Sequence, residues 1–317
     1  MNAQVSVVIP VFNTGAFLAR CLDSVIGQTF QSIEVICVND GSTDRSLSIL
    51  QEYQKKDGRI RIVDQTNQGA AVARNHGLQQ ATADFIYYLD SDDVMHPQLL
   101  EYTHDLAVRQ DAELVCFDWQ KVVPGQVWPA APLGSFADVP VCQPKKPLHH
   151  LHKGSSFQIG FNSWSKLFRR SLAQSVAFIP GNMLEDYPHT ACVLRDNPRT
   201  IISSARLYYY TLHEASITRA RCTPQKIRHY HEGLLSVLDH YRDVPHDLAW
   251  LRRHLFPHVL KHQLNQITSL SSTDESREVR AAFRTELQDL DSNGLLRWSD
   301  HKLRYYVRYK YLLASGA

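Results

Sequence analysis

The sequence predicts an α/β domain built on a mostly parallel sheet flanked by helices, and three observations predict it. Short β-branched apolar runs alternate with segments of helical period over the first 120 residues. The connections between them are short, as in the turn "DGSTD". Several apolar runs end abruptly in polar or acidic residues, so the chemistry sits at strand tips rather than in the core. Strand–helix alternation of this kind gives βαβ units with right-handed crossovers and parallel neighbours.

The elements follow in order. "VSVVIPVF" (5–12) reads as a buried strand, because parallel strands covered on both faces are continuously apolar. "TGAFLARCLDSVIGQ" (14–28) carries Phe17, Leu18, Cys21, Leu22, Val25 and Ile26 at helical spacing, with Thr14 as its expected N-cap. "IEVICVND" (33–40) is a second buried strand, and "SLSILQEYQKK" (46–56) the helix behind its turn. "IRIVDQ" (60–65), "GAAVARNHGLQQA" (69–81) and "DFIYYLD" (84–90) repeat the strand–helix–strand pattern. "HPQLLEYTHDLAVRQ" (96–110) is a helix with Pro97 in its first turn, and "AELVCFDWQKV" (112–122) closes the series.

Residues 121–160 break the pattern: the stretch from Val122 to Pro147 holds six prolines and little periodicity, a long loop with room for a short hairpin. From 161 to 219 the chain is mixed α/β, and from Thr223 onward it reads as helical. The expected organisation is therefore 1–120, 121–220 and a C-terminal helical region, 221–317.

A chain of 317 residues with 44% apolar and 21% charged residues is long enough and apolar enough for a full core. Its net charge of +2 gives no global field for nucleic acid, so no nucleic-acid partner is expected. The six cysteines are scattered without a C-x-x-C pair and read as buried free thiols, which suits a reducing compartment. "VSVVIPVF" is too short and lacks the basic flank of a signal peptide. No stretch approaches the roughly 18 apolar residues of a membrane span, so the expected location is cytoplasmic.

In open α/β sheets ligands bind beyond the carboxyl ends of the strands. Asn13, Asp40 and Asp90 each follow a strand and should share one rim. The most pointed feature there is "DSDD": Asp90, Asp92 and Asp93 in four residues, with Ser91 between them. Hard oxygen ligands this close suit Mg²⁺ or Mn²⁺, which would relieve their mutual repulsion and bridge to phosphate. The plainer reading is a loop in which Asp92 or Asp93 caps the helix near Pro97.

In "VNDGSTDRS", Asp44 and Ser42 read as turn and capping residues, whereas Asp40, aimed off a strand tip, can accept from a base N–H. In "TNQGAAVARNHGL", small residues allow close approach, and Arg74 would project to the same rim as a diphosphate partner. An arginine on a helix is otherwise a solvated charge.

Together, "VSVVIPVFN", "EVICVNDGSTD", "NQGAAVARNHGL" and "DFIYYLDSDD" resemble the successive signatures of the family 2 glycosyltransferases. "NSWSKLFRR" and "MLEDYPHT" resemble that family's acceptor-side segments. The resemblance spans about residues 4–219, with one departure: Asn39 stands where the family commonly has an acid. It implies a GT-A fold, with 1–120 as the nucleotide-sugar-binding half and 121–220 as the acceptor-binding half. It also implies an inverting transfer from a nucleotide sugar, with UDP as the expected nucleotide, to a saccharide or lipid-linked saccharide of the cell surface.

By the same resemblance Pro10, Phe12 and Asn13 line the nucleotide pocket, Asp40 accepts from uracil N3–H, and Arg74 lies near base or diphosphate. Asp90 contacts ribose or metal, Ser91 stands with it among the donor contacts, and Asp92 ligates Mn²⁺ or Mg²⁺. His213 stands where some relatives place a metal-ligating or phosphate-contacting residue, although a lone histidine after a strand is more often a surface residue. Asp186 is the general base by the resemblance; the plainer reading is that one of Glu185 and Asp186 caps the helix near Pro188, a role that suits Glu185 better. Trp164 and Lys166 fit either an acceptor wall or ordinary packing.

His254, His258 and His262 form a stripe better read as surface than as a zinc site. Residues 297–313 carry five Lys/Arg, one Asp and four tyrosines. That composition suits peripheral contact with an anionic inner-membrane face, and equally suits tyrosines packed inward under solvated charges. Two other functions fit an α/β sheet with rim acids. A nucleotidyltransferase would carry a glycine-rich basic loop after the first strand, where "PVFNTGAF" has one glycine and no Lys or Arg. A non-catalytic nucleotide-sugar binder would have no need of Asp186.

Overall fold

The computed structural model describes residues 2–123, 133–151, 157–213, 222–268 and 274–292, except the side chains of 264, 268, 274–276 and 289–292. The chain divides into two compact units: Met1–Gly181 with Glu185–Ser216, and Asn182–Leu184 with Ile217–Ala317.

The first unit is built on β1 (Val5–Val11), β2 (Ile33–Asp40), β3 (Ile60–Gln65), β4 (Phe85–Tyr88), β5 (Val94–Met95), β6 (Leu114–Val122), β7 (Val141–Cys142), β8 (Lys166–Arg169) and β9 (Thr200–Thr211). Its helices are α1 (Leu18–Ile26), α2 (Ser46–Lys56), α3 (Ala70–Gln80), α4 (Leu99–Arg109), α5 (Arg170–Ser175) and α6 (Asp186–Val193). The second unit contains α7 (Pro224–His240), α8 (Pro245–Thr268) and α9 (Asp274–Ser292).

The sheet order is β3-β2-β1-β4-β8-β6-β9-β5, with β7 also on β9. The ladders β1–β2, β2–β3, β1–β4 and β6–β9 are parallel. Every residue of β1 is buried, as a central strand covered on both faces requires. Between β4 and β6 lies β8, antiparallel to both, so β6 is not the next parallel neighbour of β4. The irregular stretch contributes the short β7, which pairs with β9 rather than closing a hairpin of its own.

Helix α3 lies unusually close to the sheet. A Cβ built on Gly77 would stand 2.3 Å from Val8 Cγ1 and 3.3 Å from Val38 Cγ2, so only glycine fits there. Arg74 lies about one turn before this contact and is thereby carried down to the strand ends.

Three expected helix starts differ. α1 begins at Leu18, and Thr14 supplies only its carbonyl, to Phe17 N and Leu18 N, while its hydroxyl bonds Ser91. α4 begins at Leu99, two residues past Pro97, with no side-chain cap. Glu185 occupies the position before α6 but makes no capping bond, because its carboxylate turns to Arg74. By contrast Asp44 does the expected work at a helix start, taking Ser46 N and Gly15 N at 2.8 Å each.

Candidate active site

Asp90, Asp92 and Asp93 each bring a carboxylate oxygen within 4.8 Å of the others, just past the end of β4. They are not equivalent. Asp93 accepts from Tyr208 Oη at 2.5 Å and Thr211 N at 2.6 Å, so it ties the loop to β9 and caps no helix. Asp90 accepts from Arg74 Nη2 at 2.8 Å. Asp92 is the outer member, and its Oδ2 meets His213 Nε2 at 2.8 Å. The imidazole stacks on Phe17 with ring centroids 4.5 Å apart, and its Nδ1 is buried without a partner.

Burial pushes the Asp90 carboxyl up to about 7; Arg74 pulls it down, and Asp92 and Asp186 push it further up. Burial, then Asp92 and Asp90, hold Asp93 well above the usual carboxylate range. Two carboxyls held up in this way, Asp90 and Asp93, are stabilised in their charged form by a nearby positive charge.

Arg74 supplies one such charge from inside the protein. It is 4% exposed, and its second nitrogen, Nη1, donates to Glu185 Oε1. Burial alone would lower its pKa, but Asp90, Glu185 and Asp186 together raise it. Asp186, the first residue of α6, follows immediately. Its Oδ1 is buried with no hydrogen-bond partner, and its charge is felt by Asp90, Arg74, Glu185 and Lys166. The acid cluster, the arginine and the Glu185–Asp186 pair therefore form one connected site within the first unit.

The family model for Glycosyl transferase family 2 matches residues 6–174, from β1 through β8 and most of α5. The chain belongs to that family. Among relatives, the uncharacterized glycosyltransferase YibD of Escherichia coli K12 is 28% identical over 245 residues, covering 74% of this chain and 69% of that protein. The uncharacterized glycosyltransferase EpsJ of Bacillus subtilis 168 is 25% identical over 294 residues, covering 90% and 83%. The fold is similar to that of S. aureus TarS 1–349 in complex with UDP-GlcNAc, with a TM-score of 0.73 at 20% identity over 98% of this chain and 89% of that one. A mannosyltransferase from Pyrobaculum calidifontis in complex with GDP-Man and Mn²⁺ aligns with a TM-score of 0.55 at 16% identity, over 100% and 86%. The GT-A fold expected from the sequence is therefore present, and the protein is a glycosyltransferase.

In this family 2 transferase, several of the residues expected on the donor side are already engaged within the protein. Phe12 is 47% exposed, a large aromatic left in solvent at the end of β1. Pro10 is buried within that strand, opposite Val38. Asn13 adopts φ +52°, and its Oδ1 accepts from Thr43 N at 2.8 Å, stapling the first loop to the second. Asp40 is buried; Gln65 Nε2, Gln68 N and Gly69 N donate to it at 2.7–2.8 Å. Asn39, where the family commonly has an acid, donates to Asp64 Oδ1 at 2.7 Å. Ser91 is buried and accepts from Thr14 Oγ1 at 3.0 Å.

Trp164 and Lys166 form no wall. Trp164 is 5% exposed and stacks on Tyr208 with centroids 4.1 Å apart. Lys166 is fully buried and donates to the carbonyls of Gly160 and Asn162 at 2.7 and 2.5 Å. Burial lowers its pKa to about 8. The half-buried aromatics beside them are Trp119 and Tyr210, which no sequence motif marks.

The Asp90–Asp92–Asp93 set fits a hard divalent ion: carboxylate oxygens, closely spaced, with the raised pKa values of Asp90 and Asp93 such as a cation would offset. Asp90 and Asp92, with His213 beside Asp92, could hold such an ion, because both Asp93 oxygens are committed to β9. It is the sole such group of His, Cys, Asp and Glu among the described residues, and the histidine stripe of α8 is not part of one. No helix among them is long and apolar enough to cross a membrane, and the membrane contact expected of 297–313 lies outside the described residues.

Proposed function

We propose that this transferase moves a sugar from a UDP-linked donor to a saccharide or lipid-linked saccharide acceptor with inversion at the anomeric carbon. In it, 1–120 serves the donor and 121–220 the acceptor. One observation carries the reading most: a buried carboxylate oxygen of Asp186 without a partner, in the same site as the Asp90–Asp92–Asp93 cluster. An unsatisfied buried acceptor costs about 1–3 kcal/mol, and a site that retains one has a use for it. The TarS complex with UDP-GlcNAc supports a nucleotide-sugar donor, and the Pyrobaculum complex with Mn²⁺ supports a divalent ion.

Asp186 takes the proton of the acceptor hydroxyl, and the freed oxygen pair forms a bond to the anomeric carbon. The bond from that carbon to the diphosphate oxygen breaks, and its electron pair leaves on the nucleotide diphosphate. A single displacement converts an α-linked donor into a β-glycoside. Asp90, Asp92 and His213 would hold Mn²⁺ or Mg²⁺, which when bound would supply positive charge to offset that on the departing diphosphate. Phe12 offers an exposed aromatic face to the base. The cytoplasmic location, a role in surface polysaccharide synthesis and a peripheral membrane contact through 297–313 belong to the same proposal.

The test is a panel of UDP-, GDP- and dTDP-sugars assayed for Mn²⁺-dependent nucleotide release. The expected result is turnover with a UDP-sugar, loss of the Mn²⁺-dependent rate in Asp92→Ala, and retained donor binding in Asp186→Asn. The rate of Asp186→Asn should fall by about 10²–10⁴-fold, the usual worth of a general base. Wild-type turnover in both variants removes the mechanism.

A further inference from the structure

We propose that Arg74 and Glu185 form a positioning clamp, fixing the cation-side carboxylate Asp90 and the general base Asp186 relative to one another. The inference rests on the reading of the site given above and assigns Arg74 a different task from contacting the donor diphosphate.

The geometry is that of a two-ended fork. Nη2 of Arg74 donates to Asp90 Oδ1 at 2.8 Å, and Nη1 donates to Glu185 Oε1. Those carboxylates lie 16 and 111 residues away along the chain, one after β4 and the other at the start of α6. A planar guanidinium holds two acceptors at a set angle, which a single ammonium cannot do. The fork itself is anchored. Its guanidinium lies over the Phe178 ring, 5.4 Å from the centroid. The neighbouring Asn75 bonds both backbone groups of Phe178, Nδ2 to the carbonyl at 2.8 Å and Oδ1 from the amide at 2.9 Å. Gly77 seats the same helix on β1 and β2.

Asp186 is what needs fixing. Its Oδ1 accepts no hydrogen bond, so that oxygen does nothing to set its own orientation. The residue immediately before it is Glu185, which forgoes capping α6 and is held by Arg74. Loop 159–163 braces the same helix from another side: Thr190 Oγ1 donates to Phe161 O at 2.5 Å, and the rings of Phe161 and Tyr187 meet edge to face. The clamp therefore acts through Asp90 and Asp186 and needs no contact of its own with the substrate. Misplacing a catalytic group by an ångström costs on the order of 10²-fold in rate.

A purely structural ion pair would, when broken, lower the melting temperature and leave the kinetics of the folded protein intact. Three variants of the full chain separate the cases: Glu185→Ala, Glu185→Gln and Arg74→Lys. Each is assayed for kcat and KM of UDP release from the donor found by the panel, with UDP-GlcNAc tried first. Thermal melting and calorimetric titration of UDP in Mn²⁺ complete the set.

Glu185→Ala should lose about 10-fold or more in kcat while KM and UDP affinity stay within about 2-fold, since Glu185 is placed against no donor group. Glu185→Gln keeps an acceptor oxygen for Nη1 and should recover most of kcat. Arg74→Lys should lose kcat and also weaken Mn²⁺-dependent UDP binding, because Asp90 is freed as well. Wild-type kcat in Glu185→Ala or in Arg74→Lys overturns the clamp, as does a Gln variant no better than Ala. If Glu185→Ala does not fold, the Gln and Lys variants decide it alone. A wild-type protein that releases no nucleotide from any sugar overturns the transferase reading and this clamp with it. Turnover by the wild type with unaffected variants overturns the clamp only.

Discussion

Asp92 and Asp93 are adjacent, identical in type and opposite in task. Asp93 gives both oxygens to β9, through Tyr208 and Thr211, and is 1% exposed. Asp92 keeps 28% of its side-chain surface and touches His213. Deleting an acceptor that serves two buried donors costs about 1–3 kcal/mol per stranded group, whereas a partly exposed pair is worth about 0–1 kcal/mol. Asp93→Ala should therefore lower unfolding free energy in urea by several times the loss seen in Asp92→Ala. Equal losses would mean that Asp92 is structural. The sequence showed the three acids but not this division, because nothing in "DSDD" says which side chain turns toward a strand some 115 residues later. Glu185 was misread for a similar reason: its position suits a cap, and only the tertiary structure supplies the competing arginine. Asp40 ends β2 and Asn13 follows β1, and backbone amides already reach both side chains in this structure.

At the scale of elements, the parallel strands β1–β4 and the helices between them are written in the period of the sequence, and they appear where that period puts them. The insertion of β8 between β4 and β6 is not, since pairing Phe85 with Arg169 depends on contacts no local pattern encodes. Helix ends were the weakest part, displaced by two to four residues where a cap was assumed from residue type. Helix α3 offers the sharpest element-level prediction. Ala is favoured over Gly in a helix by about 1 kcal/mol, so intrinsic propensity alone predicts that Gly77→Ala stabilises. The 2.3 Å approach to Val8 predicts the reverse, a loss of about 1–3 kcal/mol from overpacking. A lower melting temperature for Gly77→Ala bears out the close approach, and a higher one contradicts it.

For the whole molecule, acid stability is set in part by a buried histidine. His189 on α6 is 2% exposed and stacks on Phe178 with centroids 3.8 Å apart. Burial, then the charges of Lys166 and Arg74, push its pKa down to about 3 from 6.5. The unfolded chain takes up a proton below about 6.5 that the folded chain refuses until about 3. Its contribution is therefore complete above 6.5 and lost as pH falls, with a slope of up to about 1.4 kcal/mol per pH unit. Urea unfolding at pH 7 and pH 5 should show the wild type losing about 1–2 kcal/mol more than His189→Phe. Identical losses in the two proteins would place the acid sensitivity elsewhere. Among the described residues, the helical character readable in the period from Thr223 onward is seen in α7, α8 and α9, and 293–317 lie outside those residues.

The central claim is that the acids after β4 and Asp186 serve one nucleotide-sugar site. A crystal structure of the protein with UDP and Mn²⁺ tests it most directly. The account predicts an ion bound by Asp92 and touching a diphosphate oxygen, with the Asp186 carboxylate opening onto the same cleft. UDP bound away from Asp92, or Asp186 closed off from the diphosphate, would contradict it.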